Sequence, residues 1–149
     1  MTNNLQAVLL LISLAPLGVA SWQDIRTRNV SNWITIPLFF LAWPLAWWLH
    51  GWAGIGVVAV TFIATYAAMP FGFGAADGKL AVFLAGLGGA PAVLLALGLV
   101  LLIFLLVRFF PGLAKRLAIV HVEQDGNHIA GVVGFFLAAV VLLLMRTMS

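Results

Sequence analysis

The chain has 149 residues, of which 64% are hydrophobic and 7% are charged, whereas about 25% of the residues of a typical soluble domain are charged. This composition excludes a water-soluble globular domain and indicates a protein embedded in a lipid bilayer. The formal net charge of +3 does not indicate nucleic-acid binding, because basic residues beside apolar spans are typical of the cytoplasmic loops of membrane proteins. The absence of cysteine excludes disulfides and cysteine-ligated metals.

Four stretches of the sequence contain no Asp, Glu, Lys or Arg, and each can cross a bilayer at least once, since a membrane-spanning helix needs about 20 apolar residues. They are residues 1–23, 29–76, 80–107 and 126–145. The first lacks the basic n-region of a secretory signal and leads towards a second apolar span, so we expect it to be retained as a helix over residues 5–22. A polar loop over residues 23–32 follows this helix.

The second neutral stretch is too long for a single crossing. His50-Gly51 lies in its middle with tryptophans on both sides, which is typical of a break at the membrane interface. The sequence therefore predicts two spans, over residues 33–49 and 53–69.

The third neutral stretch is longer than one span but shorter than two full ones. Residues 86–91 form a glycine- and proline-rich breaker inside it. If the chain turns there, six of the seven basic residues share one membrane face and only Arg146 lies opposite; if it does not, only four share a face. The positive-inside bias therefore favours six spans, with a short fourth helix and the N-terminus outside.

The remaining segments complete the predicted architecture. Residues 109–120 mix apolar and basic side chains, as an amphipathic segment on the cytoplasmic surface does, and residues 129–145 form the last span. We therefore expect an all-α polytopic membrane protein, a bundle of about six transmembrane helices in a single domain over residues 1–149.

Two of the four acidic residues, Asp24 and Asp77, are separated by two predicted crossings, and an even number of crossings places them at the same membrane face. Two carboxylates close enough to share a proton can activate water and hydrolyse a peptide bond. Their positions also allow a simpler interpretation, in which Asp24 balances nearby arginines and Asp77 caps a helix. On position alone the simpler interpretation is favoured, because caps and solvated charges are common.

The local sequence around the two aspartates favours the catalytic interpretation instead. The chain reads DIRTRNVSNW over residues 24–33 and FGFGAADGKL over residues 71–80. These segments resemble the two signatures of the type IV prepilin peptidases and archaeal preflagellin peptidases, a D-x-R-x-x-x-(I/V)-P-N element after the first helix and a G-x-G-D-x-K-L element before the fourth. Either motif alone is weak, but together, at a spacing that holds two helices, they are specific.

The resemblance implies that Asp24 and Asp77 are the catalytic pair of a membrane aspartic endopeptidase. The residues that it implies for substrate binding or loop support are Arg26, Asn32, Gly72, Gly74 and Lys79. For Arg26 and Lys79 the bias of basic residues towards the cytoplasmic face is the simpler explanation. The sequence departs from the motifs at Ala76, where the family usually has glycine, and at Ser31, where it usually has proline.

The family also implies a substrate and a location. The substrate would be a prepilin-like membrane protein, which is cut after its leader. The location would be the cytoplasmic face of a bacterial or archaeal cytoplasmic membrane, and the reaction would need no metal or other cofactor. The chain resembles the short form without a cysteine-rich methyltransferase domain, associated with tight-adherence pili or preflagellins. Two alternatives remain open, a small non-enzymatic membrane subunit of a transporter or assembly platform, and an inactive relative.

One cluster has side chains of metal-binding type, namely His121, Glu123, Asp125 and His128. It contains a Gly-Asn pair and lacks two histidines four residues apart on a helix. The sequence therefore predicts a solvated loop here and no metal site.

Overall fold

A computed structural model of the chain describes residues 2–27, 30–71, 74–109, 120–123, 126–129 and 131–147. These ranges contain four α-helices, one short 3-10 helix and one small antiparallel hairpin, and the expected all-α class is confirmed. The elements are α1 (Thr2–Thr27), α2 (Asn32–Ala68), the 3-10 helix Met69–Phe71, α3 (Ala75–Phe109), β1 (Val120–Glu123), β2 (Gly126–Ile129) and α4 (Gly131–Thr147).

Three stretches of the described chain are long and apolar enough to cross a membrane. They are Leu5–Thr27, Asn32–Ala68 and Ala75–Leu102, and the shorter apolar stretch Gly134–Met145 lies in α4. The protein is therefore a membrane protein. The described ranges contain four separate α-helices, which is fewer than the expected number of about six.

Helix α2 is not straight. Its 37 residues would extend over about 55 Å at 1.5 Å per residue, but the backbone leaves the helical conformation at Gly51, with φ 61° and ψ −145°. The chain turns back there, since the Phe39 and Phe62 rings lie 5.6 Å apart. The two halves of α2 are in close contact beside this turn, since a Cβ on Gly54 would lie 2.5 Å from the Ala46 carbonyl oxygen. The predicted break at His50-Gly51 is confirmed, and it uses a positive φ that glycine adopts at little cost.

Helix α3 contains a second break at Gly89, with φ 65° and ψ −156°, inside the breaker predicted over residues 86–91. Pro91 follows, where a proline suits the first turn of a new helical segment. The two breaks lie side by side, because His50 Nε2 is 3.2 Å from the Leu87 carbonyl oxygen. The turns of α2 and α3 are therefore at the same end of the molecule.

The first half of α3 is the centre of the bundle. Every residue from 80 to 87 is buried, as expected of a helix with neighbours on all sides. A Cβ on Gly86 would lie 2.4 Å from the Ala42 carbonyl oxygen, so the backbones of α2 and α3 approach closely there. Helix α4 packs on α1 and on the second half of α3, with Phe135 fully buried.

Two expectations for polar segments are wrong. The loop predicted over residues 23–32 begins later, because α1 continues to Thr27; polar residues can continue a helix at the bilayer surface, so a change of composition does not mark its end. The loop predicted around His121 is a hairpin in which Val120 pairs with Ile129 and His121 with His128. β-Branched residues in alternate positions favour a strand. Asp125 and most of the amphipathic segment, residues 110–119, lie outside the described residues.

Candidate functional site

Helix α1 carries Asp24 on the face that it turns towards the core. Leu10 and Leu17 are buried on that face, and Asp24 follows at the same interval of seven residues, which is close to two helical turns. Its side chain is half-buried. The apolar stripe of α1 therefore ends in a carboxylate at the end of the helix.

Helix α3 carries Asp77 in the same way. Leu80, Leu84 and Leu87 are buried and follow Asp77 at intervals of three and four residues, the spacing of one helix face. These leucines belong to the same hydrophobic cluster as Leu10 and Leu17 of α1. The core-facing stripes of two helices thus each end in an aspartate.

Asp24 and Asp77 lie near enough to each other for the charge of Asp24 to act on the Asp77 carboxylate. Both side chains are half-buried. A carboxylate pair that shares one proton can act as general acid and general base, so Asp24 and Asp77 are the type of groups that such hydrolysis requires.

The first turn of α3 fixes the Asp77 side chain. Gly74 is the residue before the helix, and its carbonyl oxygen accepts a hydrogen bond from the Gly78 backbone N–H at 3.0 Å. The Gly74 backbone N–H in turn donates to the Asp77 carboxylate, as in a capping box. The capping interpretation of Asp77 is therefore right in part: Asp77 supports the start of a helix, but from inside its first turn, because α3 begins at Ala75 and not at Gly78.

Gly74 is also needed for its small size. A Cβ at this position would lie 2.9 Å from Asp77 Oδ2, closer than such atoms approach without a shift. The glycine lets the carboxylate fold back over the start of the helix. Gly72 lies outside the described residues.

The departure from the family motif at Ala76 has a structural context. Ala76 lies within α3 and packs against the hydrophobic core. Its backbone is helical, and alanine is the residue that favours a helix most. The methyl group therefore costs no conformational strain at this position.

The departure at Ser31 is explained by two hydrogen bonds. The Ser31 side chain accepts from the Trp33 backbone N–H at 3.3 Å, which caps α2. Its own backbone N–H donates to Gln23 Oε1 at 3.0 Å, and a proline has no N–H for that bond. The Gln23 bond ties the end of α1 to the start of α2, directly beside Asp24.

The two motif segments are joined by a second side chain contact. Lys79 Nζ donates to Asn32 Oδ1 at 2.7 Å, which connects the first turn of α2 with the second turn of α3. Both residues were predicted to support the site, and the structure places them in contact. Arg26 lies elsewhere, exposed on the outside with its guanidinium 4.5 Å from the Trp22 ring centroid, as suits a cation at the membrane interface.

Sequence reasoning missed Gln23, because nothing in a local pattern indicates which backbone group a glutamine will reach eight residues away. It also missed a cavity of about 280 Å³ between the two halves of α2 and the start of α3. Its wall includes Ala75, Gly78 and Lys79, which flank Asp77. In the described part of the chain no three His, Asp or Glu residues cluster as they would around a metal ion.

Comparison with known families agrees with this geometry. The sequence model of the type IV leader peptidase family matches residues 9–114, a range that contains Asp24, Asp77 and the contacts described above. No curated protein and no solved structure matches the chain in the corresponding comparisons. Because this is a family of peptidases, the match indicates proteolysis as the general class of activity of the chain. The match covers more than half of the sequence, and the chain belongs to the type IV leader peptidase family.

Proposed function

We propose that the protein is an aspartic endopeptidase that removes the leader of prepilin-like membrane proteins at the cytoplasmic face of the membrane. The observation that carries this proposal is that Asp24 and Asp77, far apart in sequence, end the stripes of α1 and α3 that pack into one core cluster, near enough for their charges to interact. The match to the type IV leader peptidase family supports the substrate class.

The chemistry needs only the two carboxyl groups and a water molecule. The ionised carboxylate takes a proton from the water, the water oxygen attacks the scissile carbonyl carbon, and the protonated carboxyl gives its proton to the carbonyl oxygen. In the second step the newly ionised carboxylate takes a hydroxyl proton from the tetrahedral intermediate. The other carboxyl protonates the amine as the C–N bond breaks, and the pair again holds one proton.

The breaks in α2 and α3 support a topology of six membrane crossings. If each of these helices forms two spans, the breaks at Gly51 and Gly89 lie at the outer face, and Asp24, Asn32 and Lys79 lie at the cytoplasmic face. The fourth span, residues 75–88, then extends over about 21 Å at 1.5 Å per residue. This is shorter than the hydrocarbon core of about 30 Å, so the site lies in a recess at the membrane surface.

A recessed site suits a substrate that is cut at the start of a membrane-spanning helix. A peptide bond must be extended to be attacked, and an extended backbone cannot satisfy its polar groups in bilayer hydrocarbon. The ends of α1 and α3, with the polar groups of Gln23, Asn32 and Lys79, offer partners for such a backbone.

The test is to replace each aspartate separately by asparagine and to measure cleavage of a co-expressed prepilin. Asp24→Asn and Asp77→Asn should each lower cleavage by about a thousandfold or more, since each removes one general acid or base. Glu123→Gln is the matched control and should process normally, because Glu123 belongs to β1 and has no role in the proposed chemistry. All variants should accumulate in the membrane to the level of the unaltered protein.

Normal processing by either asparagine variant would disprove the shared role of the two carboxylates. If the unaltered protein folds in the membrane and yet cleaves no prepilin, the inactive relative or the non-enzymatic subunit becomes the better interpretation.

A further inference from the structure

The outward face of α1 carries a stacked pair of side chains near the C-terminal end of the helix. Trp22 and Arg26 are four residues apart, the spacing of neighbours on one helix face, and the Arg26 guanidinium lies 4.5 Å from the centroid of the Trp22 ring. Asp24 is two residues from each of them, which is about 200° around the helix. The positive charge of Arg26 is therefore on the opposite side of α1 from the candidate catalytic pair.

Stacking on a ring leaves the binding groups of an arginine available. The guanidinium is planar and its N–H donors point outwards in its plane, so an aromatic ring against one face does not occupy them. The ring also restricts the side chain, which lowers the entropic cost of ordering it when a ligand binds. Arg26 is exposed. It therefore presents a preoriented fork of donors that matches the oxygens of a phosphate group.

The stacked pair lies where a membrane-spanning helix meets the lipid headgroups. Trp22 and Arg26 are in the last two turns of the apolar stretch Leu5–Thr27, which is long enough to cross a bilayer. Trp22 is 58% exposed, and Trp33, in the first turn of α2, is 90% exposed. Exposed tryptophans at the ends of membrane spans occupy the headgroup region. The pair therefore reaches the depth at which phospholipids carry their phosphates.

We propose that Trp22 and Arg26 form a binding site for the headgroup of an anionic phospholipid, a site separate from the proposed catalytic pair. Under the proposed topology it faces the cytoplasmic leaflet, whose anionic lipids attract basic residues. The lipid phosphate meets the guanidinium while its glycerol and upper acyl chains contact the exposed tryptophans. A zwitterionic lipid adds an ammonium that the guanidinium repels, and a free phosphate ion has no apolar part for the tryptophans.

The experiment measures lipid retention by the purified full chain. The protein in detergent is mixed with equal amounts of phosphatidylglycerol and phosphatidylcholine that have the same acyl chains, and native mass spectrometry counts the molecules of each lipid that stay bound. The unaltered protein should retain phosphatidylglycerol in preference to phosphatidylcholine by about tenfold, the effect expected of a hydrogen bond between charged groups.

Arg26→Lys separates a specific site from a general attraction between charges. Lysine keeps the positive charge but lacks the planar fork that stacks on a ring, so the preference for phosphatidylglycerol should fall by about fivefold. Trp22→Leu keeps an apolar side chain without the ring and should lower the preference by about threefold, the loss of an exposed cation–π contact. Arg146→Lys is the matched control, since Arg146 belongs to α4, and it should keep the original preference.

Three outcomes would overturn the lipid site. An unchanged preference in Arg26→Lys would mean that charge alone attracts the lipid, and an equal loss in Arg26→Lys and Arg146→Lys would mean that the effect is not local. Displacement of phosphatidylglycerol by sodium phosphate, but not by sodium chloride of the same ionic strength, would indicate a site for soluble phosphate. Lipid retention does not depend on cleavage, so the lipid site and the proposed function fail separately.

Discussion

At the scale of single residues, the Asp77 carboxylate serves both the helix and the site. It accepts the Gly74 backbone N–H and interacts with the charge of Asp24, so its position is set by the start of α3 before any substrate binds. A side chain held by a backbone group keeps its geometry without cost during the reaction. The glycine before the helix is therefore part of the catalytic design that we propose.

Gly74→Ala tests this positioning. The new Cβ would lie 2.9 Å from Asp77 Oδ2, so the carboxylate must move, and a displacement of about 1 Å can cost up to about a hundredfold in rate. We expect kcat for prepilin cleavage to fall by that order, with normal accumulation in the membrane. Gly56→Ala, where nothing lies within 4 Å of the added Cβ, should leave kcat unchanged. Equal kcat values for the two variants would show that Gly74 does not position Asp77.

Ser31→Pro tests the tether beside Asp24. The Ser31 φ of −59° already suits proline, so the backbone can stay in place while the Gln23 bond and the side-chain cap of α2 are lost. We expect a loss of stability of about 1–2 kcal/mol in detergent, the sum of a net hydrogen bond and an N-cap. Gln23→Ala should cost less, and the double variant should cost less than the sum of the single ones. Strict additivity would contradict the tether.

At the scale of helices, close contact between α2 and α3 depends on glycine. A Cβ on Gly86 would lie 2.4 Å from the Ala42 carbonyl oxygen and 2.8 Å from the Ala42 Cα, and neither backbone atom can turn aside as a side chain can. The two helices would have to separate within the core, about two helical turns along α3 from Lys79. Packing of this kind links the stability of the bundle to the geometry of the site.

Gly86→Ala should therefore destabilise the protein by roughly 1–3 kcal/mol, the usual cost of overpacking a core. Gly98→Ala is the matched control, since it lies in the same helix with nothing within 4 Å of the added Cβ. It should be neutral or stabilising by up to about 1 kcal/mol, because alanine favours a helix over glycine. Thermal unfolding in detergent measures both variants, and a Gly86→Ala protein as stable as Gly98→Ala would contradict the close approach.

Helix boundaries and breaks differ in how well the sequence predicts them. The break at Gly51 was predictable because a glycine stands in a neutral stretch too long for one crossing. The continuation of α1 to Thr27 was not, because polar residues at a membrane surface fit a helix as well as a loop. The seven-residue interval from Leu10 through Leu17 to Asp24 was present in the sequence and would have placed Asp24 on the core-facing side of α1.

The contacts of the candidate site were only partly predictable. The number of crossings between Asp24 and Asp77 implied a common face without any knowledge of packing. The Lys79 bond to Asn32 and the Gln23 bond to Ser31 depend on how helices meet in space, and long-range contacts of single polar side chains leave no periodic signal. The pairing of β1 with β2 was not predictable, because two alternate valines, Val120 and Val122, form too short a pattern to distinguish a strand from a loop.

At the scale of the whole molecule, the two turns and the candidate site lie at opposite ends of the bundle. His50 contacts the Leu87 carbonyl oxygen next to Gly89, whereas Asn32 contacts Lys79 at the other end. The first half of α3 connects these ends, and its residues 80–87 are all buried. Six crossings would therefore place the turns of α2 and α3 in one aqueous compartment and the aspartates in the other.

Single cysteine variants test this topology, because the chain has no cysteine and the parent protein is an unreactive control. Trp52 and Ala90 are exposed beside the turns, and Thr27 is exposed at the end of α1. A membrane-impermeant thiol reagent added outside intact cells should label Trp52→Cys and Ala90→Cys, and it should label Thr27→Cys only in inverted vesicles. With five crossings α3 would run straight through the bilayer, so Ala90→Cys would lie in hydrocarbon and react from neither side. Labelling of Thr27→Cys and Trp52→Cys from the same side would exclude a crossing in the first half of α2, and with it a site at the face opposite the turns.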